Sequence, residues 1–305
     1  MPKRVWMLLL LAAALSAGAG GASYAVPSLG GPTGIVAMPT AAIAPTTDLQ
    51  VALTYRALQT LAQGMEMYAP VGAEAALHLE ALAQAADMYA VAGDTDATVW
   101  SLQVLRGVSD QAELWAAYHR VHNTADSIIW QLGGKMLLEQ TWLKDVKAAV
   151  GGSMGRWVDS FGIPNAAGVT DTDMLNAYAV VTKDLTPGTT PSWEWGETPG
   201  IQAIGSAGMY YLRLSPDAGG EETLIRPFVG LEVNLASNLA LGLEYRAKDD
   251  DLDEKAVFSA MMRRTFGEDL WLELGTSNVS PVGLGMGGQD VFVRLCYDIP
   301  MITAY

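Results

Sequence analysis

The stretch Leu239-Ala240-Leu241-Gly242-Leu243-Glu244-Tyr245-Arg246-Ala247-Lys248 alternates between two kinds of side chain. Its odd-numbered positions carry large apolar side chains until Tyr245, and its even-numbered positions carry small or charged ones. Because successive side chains of a β-strand point to opposite faces, the pattern predicts a strand with one apolar and one polar face. Such a strand suits a wall that separates hydrocarbon from water.

Three neighbouring stretches repeat this alternation, at residues 228–235, 270–275 and 291–298. A period of two that recurs along the chain predicts several antiparallel strands in one sheet. The alternative is a soluble, secreted β-rich module, in which each apolar face would cover a closed interior instead of contacting lipid.

The connections between these strands alternate in length. Residues 237–238 and 267–269 are short turns, whereas 249–254 and 277–288 are long and polar or glycine-rich. Clipped turns at one end and extended loops at the other are typical of transmembrane barrels. The last strand and the aromatic Tyr305 are also typical of the export signal of such barrels.

Extending this rhythm towards the amino end predicts an all-β, antiparallel transmembrane β-barrel over 48–305, with fourteen strands as the first choice and twelve as the alternative. The predicted strands are 48–57, 63–69, 74–83, 96–106, 111–120, 127–138, 146–157, 173–184, 203–214, 223–235, 239–248, 255–265, 270–276 and 289–298. Two stretches fit poorly. Residues 73–92 fit a helix about as well as a strand, and 185–200 is too long for a clipped turn.

Composition excludes two classes of protein. The chain has 305 residues, of which 50% are hydrophobic, so an intrinsically disordered protein is excluded. It carries 33 acidic against 18 basic residues, a formal net charge of −15, which excludes a nucleic-acid partner. The one cysteine, Cys296, excludes an intrachain disulfide framework.

Residues 1–25 have the layout of a secretory signal peptide. Lys3 and Arg4 precede an apolar run from Val5 to Leu15, and small residues lead to Ala25. The apolar run is too short for a membrane-spanning helix. We therefore expect a cleaved signal peptide over 1–25 and an exported mature chain.

Between the signal peptide and the first predicted strand lies a non-repetitive segment, 26–47, called the lead-in below. Pro32 and Pro39 fix the backbone angle φ, whereas Gly30 and Gly34 permit unusual angles, so the segment is expected to be ordered but neither helix nor strand. It either plugs the lumen or rests at the periplasmic rim, or else it is a mere linker. The sequence does not favour an ordered plug or rim segment over a linker.

The start of the lead-in carries a resemblance to a known family. Residues 27–41 read Pro-Ser-Leu-Gly-Gly-Pro-Thr-Gly-Ile-Val-Ala-Met-Pro-Thr-Ala, and this Gly-Pro-Thr-Gly…Pro-Thr-Ala pattern resembles the amino end of the YjbH-like family of bacterial outer-membrane barrels. The resemblance implies an outer-membrane location and a link to exopolysaccharide export or envelope assembly. It implies no catalytic residue.

Five charged residues are the candidate functional residues. If Leu241 and Leu243 meet lipid, the polar register of each strand points to the lumen. The lumen-facing candidates are Glu232, Glu244, Arg246, Glu273 and Arg294. They could line a water-filled constriction, where the acidic excess of the chain would favour cations, or pair across the lumen and close it.

Catalysis and metal binding have weaker support. The histidines are His78, His119 and His122. A spacing of three puts the last two on opposite faces of a strand, which argues against a shared metal site. A barrel-embedded hydrolase would need a serine beside His119, with Ser109 and Ser127 in the same part of the sequence. We expect a protein that is not an enzyme, with the hydrolase as an alternative.

The function that these patterns predict is a passive channel or an envelope or exopolysaccharide-export scaffold in the bacterial outer membrane. Passive diffusion needs no cofactor and no metal. The expected partners are outer-membrane lipid and the barrel-assembly machinery, with small solutes or polysaccharide as candidate cargo.

Overall fold

The computed structural model describes a barrel together with most of the lead-in. The described residues are 27–29, 32, 34–58, 97–122, 126–138, 146–159, 171–186, 201–217, 221–236, 238–248, 255–266, 269–279 and 285–301. The predicted signal peptide, 1–25, lies outside them. No helix among the described residues is long and apolar enough to cross a bilayer.

Twelve antiparallel strands form one closed barrel, in which each strand pairs with its neighbours in sequence and β1 pairs with β12. The strands are β1 Asp48–Leu58, β2 Ala97–Ser109, β3 Ala112–His122, β4 Asp126–Leu138, β5 Val146–Asp159, β6 Asp171–Asp184, β7 Gln202–Pro216, β8 Glu222–Ala236, β9 Leu239–Arg246, β10 Val257–Phe266, β11 Leu270–Val279 and β12 Gly285–Pro300. The all-β antiparallel barrel predicted from the sequence is thereby confirmed.

The strand count of fourteen is wrong, and the alternative of twelve is right. Predicted strands 63–69 and 74–83 lie outside the described residues, and β1 pairs directly with β2 from Gln50↔Leu105 to Leu58↔Ala97. Since β1 also pairs with β12 along its other edge, no edge is left in the ring for two further strands. The other twelve predicted strands each overlap an observed one.

Both ends of the barrel chain meet at one rim, where Asp48 of β1 pairs with Pro300 of β12. We call this the terminal rim and the opposite one the far rim. The strand ends at the terminal rim are joined in the sequence through 110–111, 139–145, 185–201, 237–238 and 267–269. Those at the far rim are joined through 59–96, 123–125, 160–170, 217–221, 247–256 and 280–284.

The two faces of the wall differ as the alternation predicts. On β9, Leu241 and Leu243 are 40% and 48% exposed on the outer face, whereas Glu244 and Arg246 are 2% and 1% exposed on the inner face. Aromatic side chains lie on the outer face as well, and the rings of Tyr55 and Trp100 contact each other across β1 and β2, tilted by 56° with centroids 4.8 Å apart. On β9 the large apolar side chains therefore face outwards and the charged ones face inwards.

The inner face is packed by aromatic rings that lie over glycines of the neighbouring strand. Four such pairs stand directly opposite each other in the strand register: Trp115 with Gly133, Tyr178 with Gly151, Phe228 with Gly208 and Phe292 with Gly275. A Cβ atom on any of these glycines would come within 2.4 to 2.6 Å of the ring atoms. Glycine is thus required because the ring occupies the space that a side chain would need.

We expect Gly133→Ala to destabilise the barrel by about 1–3 kcal/mol, because the new methyl group overlaps the ring of Trp115. Gly134→Ala is the matched control, since its Cβ points to the outer face, where the nearest atom, Leu114 Cδ2, is 3.0 Å away. The measurement is the unfolding midpoint of each purified barrel in detergent. Equal midpoints for the two variants would contradict this account of the packing.

Candidate functional site in the barrel lumen

The lead-in lies against the inner face of the barrel. Val36 and Ala41 are fully buried, and Ile35 and Met38 are 2% and 3% exposed. Their neighbours are inward side chains such as Phe292. The chain enters the lumen at the terminal rim, because the lead-in continues directly into β1 at Asp48.

Glu244 of β9 binds the main chain of the lead-in. Its carboxylate accepts hydrogen bonds from the backbone N–H groups of Val36 at 2.7 Å, Ala37 at 2.7 Å and Met38 at 3.0 Å. Successive N–H groups that converge in this way form a concave site for an anion. The buried carboxylate and the irregular backbone therefore compensate each other.

A chain of acids and arginines runs beside Glu244 across β8, β10, β11 and β12. Arg263 contacts Glu232 at 3.2 Å and Glu273 at 2.6 Å, and Arg294 contacts Glu273 at 2.7 Å. The two arginines also donate to the lead-in: Arg294 to the carbonyl oxygens of Pro27 and Val36, and Arg263 to that of Ile35. The arginines of this ion chain thus bind carbonyl groups of the lead-in, and Glu244 binds N–H groups of the same segment.

A second ion pair holds the lead-in on another part of the wall. Lys135 of β4 lies 3.0 Å from Glu113 of β3, and both side chains are fully buried. Lys135 donates to the carbonyl oxygen of Thr40, and Glu113 accepts from the N–H of Ala44. Uncharged groups add further contacts: Gln103 donates to Leu29 O, Thr182 accepts from Ala41 N, and the N–H of Gly107 donates to Pro45 O.

Glycines of the wall make room for the lead-in. A Cβ atom on Gly230 of β8 would come within 2.7 Å of Ile35, and one on Gly242 of β9 within 2.5 Å. A Cβ atom on Gly107 would come within 2.1 Å of the carbonyl oxygen of Ala44. The apolar residues Val257, Met261 and Phe292 belong to the same packed cluster as Ile35. The wall therefore provides a fitted apolar seat for Ile35, which we call the Ile35 seat.

The structure brings four of the five sequence-derived candidates together. Glu244 and Arg294 contact the lead-in, and Glu232 and Glu273 are joined through Arg263 to the same ion chain. Arg246 lies nearer the far rim, with its guanidinium 5.2 Å from the ring centre of Tyr210. Sequence reasoning missed Glu113, Lys135 and Arg263. These three residues lie on the inward register of β3, β4 and β10, so the alternation along those strands is the signal that could have identified them.

The buried charges on the described inner face are equal in number. Its buried acids are Glu113, Glu232, Glu244, Glu273, Asp290 and Asp298, and its buried bases are Arg56, Lys135, Arg226, Arg246, Arg263 and Arg294. The acidic excess of the chain lies outside this set of buried residues, so the buried charges by themselves give no ground for cation preference. The cation preference expected from the sequence stays a prediction.

Apolar side chains cover the inner wall between the lead-in and the far rim. Val99, Val121, Ile129, Met174, Leu212 and Leu224 form one cluster on β2, β3, β4, β6, β7 and β8, and each is at most 6% exposed. Apolar side chains this well buried are not in contact with water. This part of the inner wall is therefore apolar and shielded from solvent in the conformation described.

The histidine pair behaves as the strand period predicts. His119 is buried on the inner face, whereas His122 is exposed on the outer face. The hydrogen-bond partner of His119 Nδ1 is Ser101 Oγ at 2.8 Å, and neither Ser109 nor Ser127 takes that place. Among the described residues His119 Nε2 has no hydrogen-bond partner, so the pair lacks the acid that orients a catalytic histidine.

Several solved barrels are similar to this chain at low identity. The KdgM porin in complex with disordered oligogalacturonate is 7% identical, with a TM-score of 0.48 over 82% of this chain and 99% of the porin. An outer-membrane channel from Pseudomonas putida F1 is 13% identical, with a TM-score of 0.41 over 88% and 99%. The outer membrane phospholipase A from Escherichia coli is 9% identical, with a TM-score of 0.42 over 85% and 95%.

No protein-family model matches the chain, and no curated protein matches it significantly. The three similar structures include a porin, a channel and a phospholipase, so likeness of this degree does not distinguish one activity from another.

We expect Glu244→Gln to speed hydrogen exchange at the amides of Val36, Ala37 and Met38 by roughly tenfold or more. The substitution removes the negative charge that these buried N–H groups share. The measurement is hydrogen exchange of the folded barrel in detergent, followed at peptides that cover 35–39.

The control is Glu221→Gln, an exposed carboxylate that pairs with Arg213 at 2.6 Å. It should leave exchange at 35–39 unchanged, because exposed ion pairs contribute little to stability. Equal exchange in both variants would mean that Glu244 does not hold the lead-in.

Proposed function

We propose that this chain is a bacterial outer-membrane β-barrel that works as a passive channel, closed at rest by the lead-in. The observation that carries the proposal is the contact of buried wall charges with the main chain of residues 27–45. A wall that carries six acids and six bases on its buried inner face suits an aqueous lumen once the segment leaves. No cofactor takes part in such diffusion.

The outer face supports placement in a membrane. Large apolar side chains are exposed around the ring, including Leu53 at 47%, Leu132 at 54% and Leu243 at 48%. In water so continuous an apolar surface would drive aggregation, whereas lipid satisfies it. The closed ring pairs each strand with two neighbours, as a spanning sheet requires because lipid offers no hydrogen bonds.

An envelope or exopolysaccharide-export scaffold is the second candidate. The buried apolar cluster of Val99, Leu212 and their neighbours favours it, because a wide pore would instead be lined by side chains in contact with water. The resemblance of residues 27–41 to the YjbH-like family points the same way. A scaffold would keep its lumen closed in every condition.

Lipid contact makes a depth-dependent prediction on β1. We expect Leu53→Arg to destabilise the barrel in lipid by about 2–4 kcal/mol, since Leu53 lies at the middle of the strand. Leu49→Arg, four residues nearer the terminal rim on the same outer face, should cost about 0–1 kcal/mol. Unfolding of both variants in liposomes gives the measurement. A soluble module would show no such difference between the two positions.

The channel itself is tested in planar lipid bilayers. We expect the wild-type barrel to conduct rarely and the double variant Glu244→Gln, Arg294→Gln to open often, because it loses charged partners on both the N–H and carbonyl sides of the lead-in. Glu221→Gln is the matched control and should behave like wild type. A heat-modifiable shift on gels establishes that each barrel is folded. If no folded variant conducts, the channel proposal fails and the scaffold remains.

A further inference from the structure

The wall recognises the main chain of the lead-in. Seven polar side chains reach the segment, and each binds a backbone N–H or carbonyl group: Gln103, Glu113, Lys135, Thr182, Glu244, Arg263 and Arg294. Main-chain groups recur in every polypeptide. A wall that binds them can hold any peptide whose side chains fit the same space.

The space sets a side-chain requirement at one position. The Ile35 seat is lined by Gly230 and Gly242, which have no side chain, and by apolar residues that include Met261 and Phe292. Directly after this anchor, Glu244 requires three successive free N–H groups. The site therefore fits a peptide in which an aliphatic residue is followed by three residues that are not proline.

We propose that the lumen is a binding site for a segment of a second polypeptide, with the lead-in as its resident occupant. The incoming segment carries an aliphatic anchor in the Ile35 seat and presents its next three N–H groups to Glu244. This names the ligand class of the channel and therefore rests on the proposed function. Main-chain hydrogen bonds that provide affinity, together with a pocket for a side chain that provides specificity, are one mode by which proteins bind peptides.

The experiment uses the full-length chain with its own lead-in weakened. Ile35→Glu puts a charge into the Ile35 seat and removes the apolar anchor, so the resident segment should vacate the site. Ala37→Pro is a second variant, which removes the N–H that Glu244 accepts at 2.7 Å. The heat-modifiable shift selects the variants that fold.

The probe is a fluorescent synthetic peptide of residues 26–47, and its binding to the barrel in detergent is followed by anisotropy. Two control peptides differ at one point each: Ile35→Glu, and an ester in place of the amide at Ala37 that removes one N–H. We expect each control to bind roughly tenfold more weakly than the native peptide, or weaker still. On a barrel that also carries Glu244→Gln, the penalty of the ester should shrink.

Each outcome of the binding experiment either supports or overturns the proposal. The proposal is overturned if the native peptide does not bind either weakened barrel, or if the ester and native peptides bind equally. It is also overturned if a neutral oligosaccharide displaces the peptide while a second copy of the peptide does not. Because anisotropy does not require conduction, peptide binding without conductance would sink the channel function alone, whereas conductance without binding would sink this inference alone.

Discussion

The pairing of β1 with β12 is the constraint on which the rest of the molecule depends. It gives the last two strand edges a partner, so that every strand of the ring lies between two others. Once the ring is closed, each side chain of a strand must face either outwards or into an enclosed space. Charged side chains on the inner face then lose most of their water, and they must find partners within the ring.

Those partners are of two kinds. Arg263 and Glu273 satisfy each other and extend to Glu232 and Arg294, whereas Glu244 finds its partners in the main chain of the lead-in. An irregular backbone inside a barrel has the complementary difficulty, since its N–H and carbonyl groups have no ladder to join. The wall charges and the lead-in therefore solve one problem together, and removing either would leave buried polar groups without compensation.

The sequence predicted the wall well and its contents poorly. Alternation is a local property, and it marked β8, β9, β11 and β12 directly, whereas the spacing of the connections located the other eight strands. Closure is not local, so nothing in residues 59–96 revealed that β1 pairs directly with β2, and two strands were added in a stretch that also fits a helix. The inward phase of Glu244 could be predicted, but its partner lies 208 residues away in the chain.

The same limit applies to the other contacts inside the lumen. No spacing along the chain indicates that His119 bonds to Ser101, because the two meet only through the register of β2 and β3. The glycines at 230 and 242 read as small residues on a polar face, and their purpose becomes visible only when Ile35 is seen against them. Patterns along a strand define its two faces, while the fit between a wall and its occupant is set by tertiary structure.

The strands of the wall are unequal in length, and this has a consequence for the surrounding bilayer. β8 has 15 residues and its neighbour β9 has 8, and the pairing of the two strands stops at Phe228↔Arg246, so β8 continues beyond β9 towards the far rim. At about 3.3 Å per residue, β9 is roughly 26 Å long before any tilt is counted, less than a hydrocarbon core of about 30 Å. Acyl chains beside β9 must therefore shorten or splay, and hydrophobic mismatch gives this flank a thinner annulus of lipid than the tall side of the barrel.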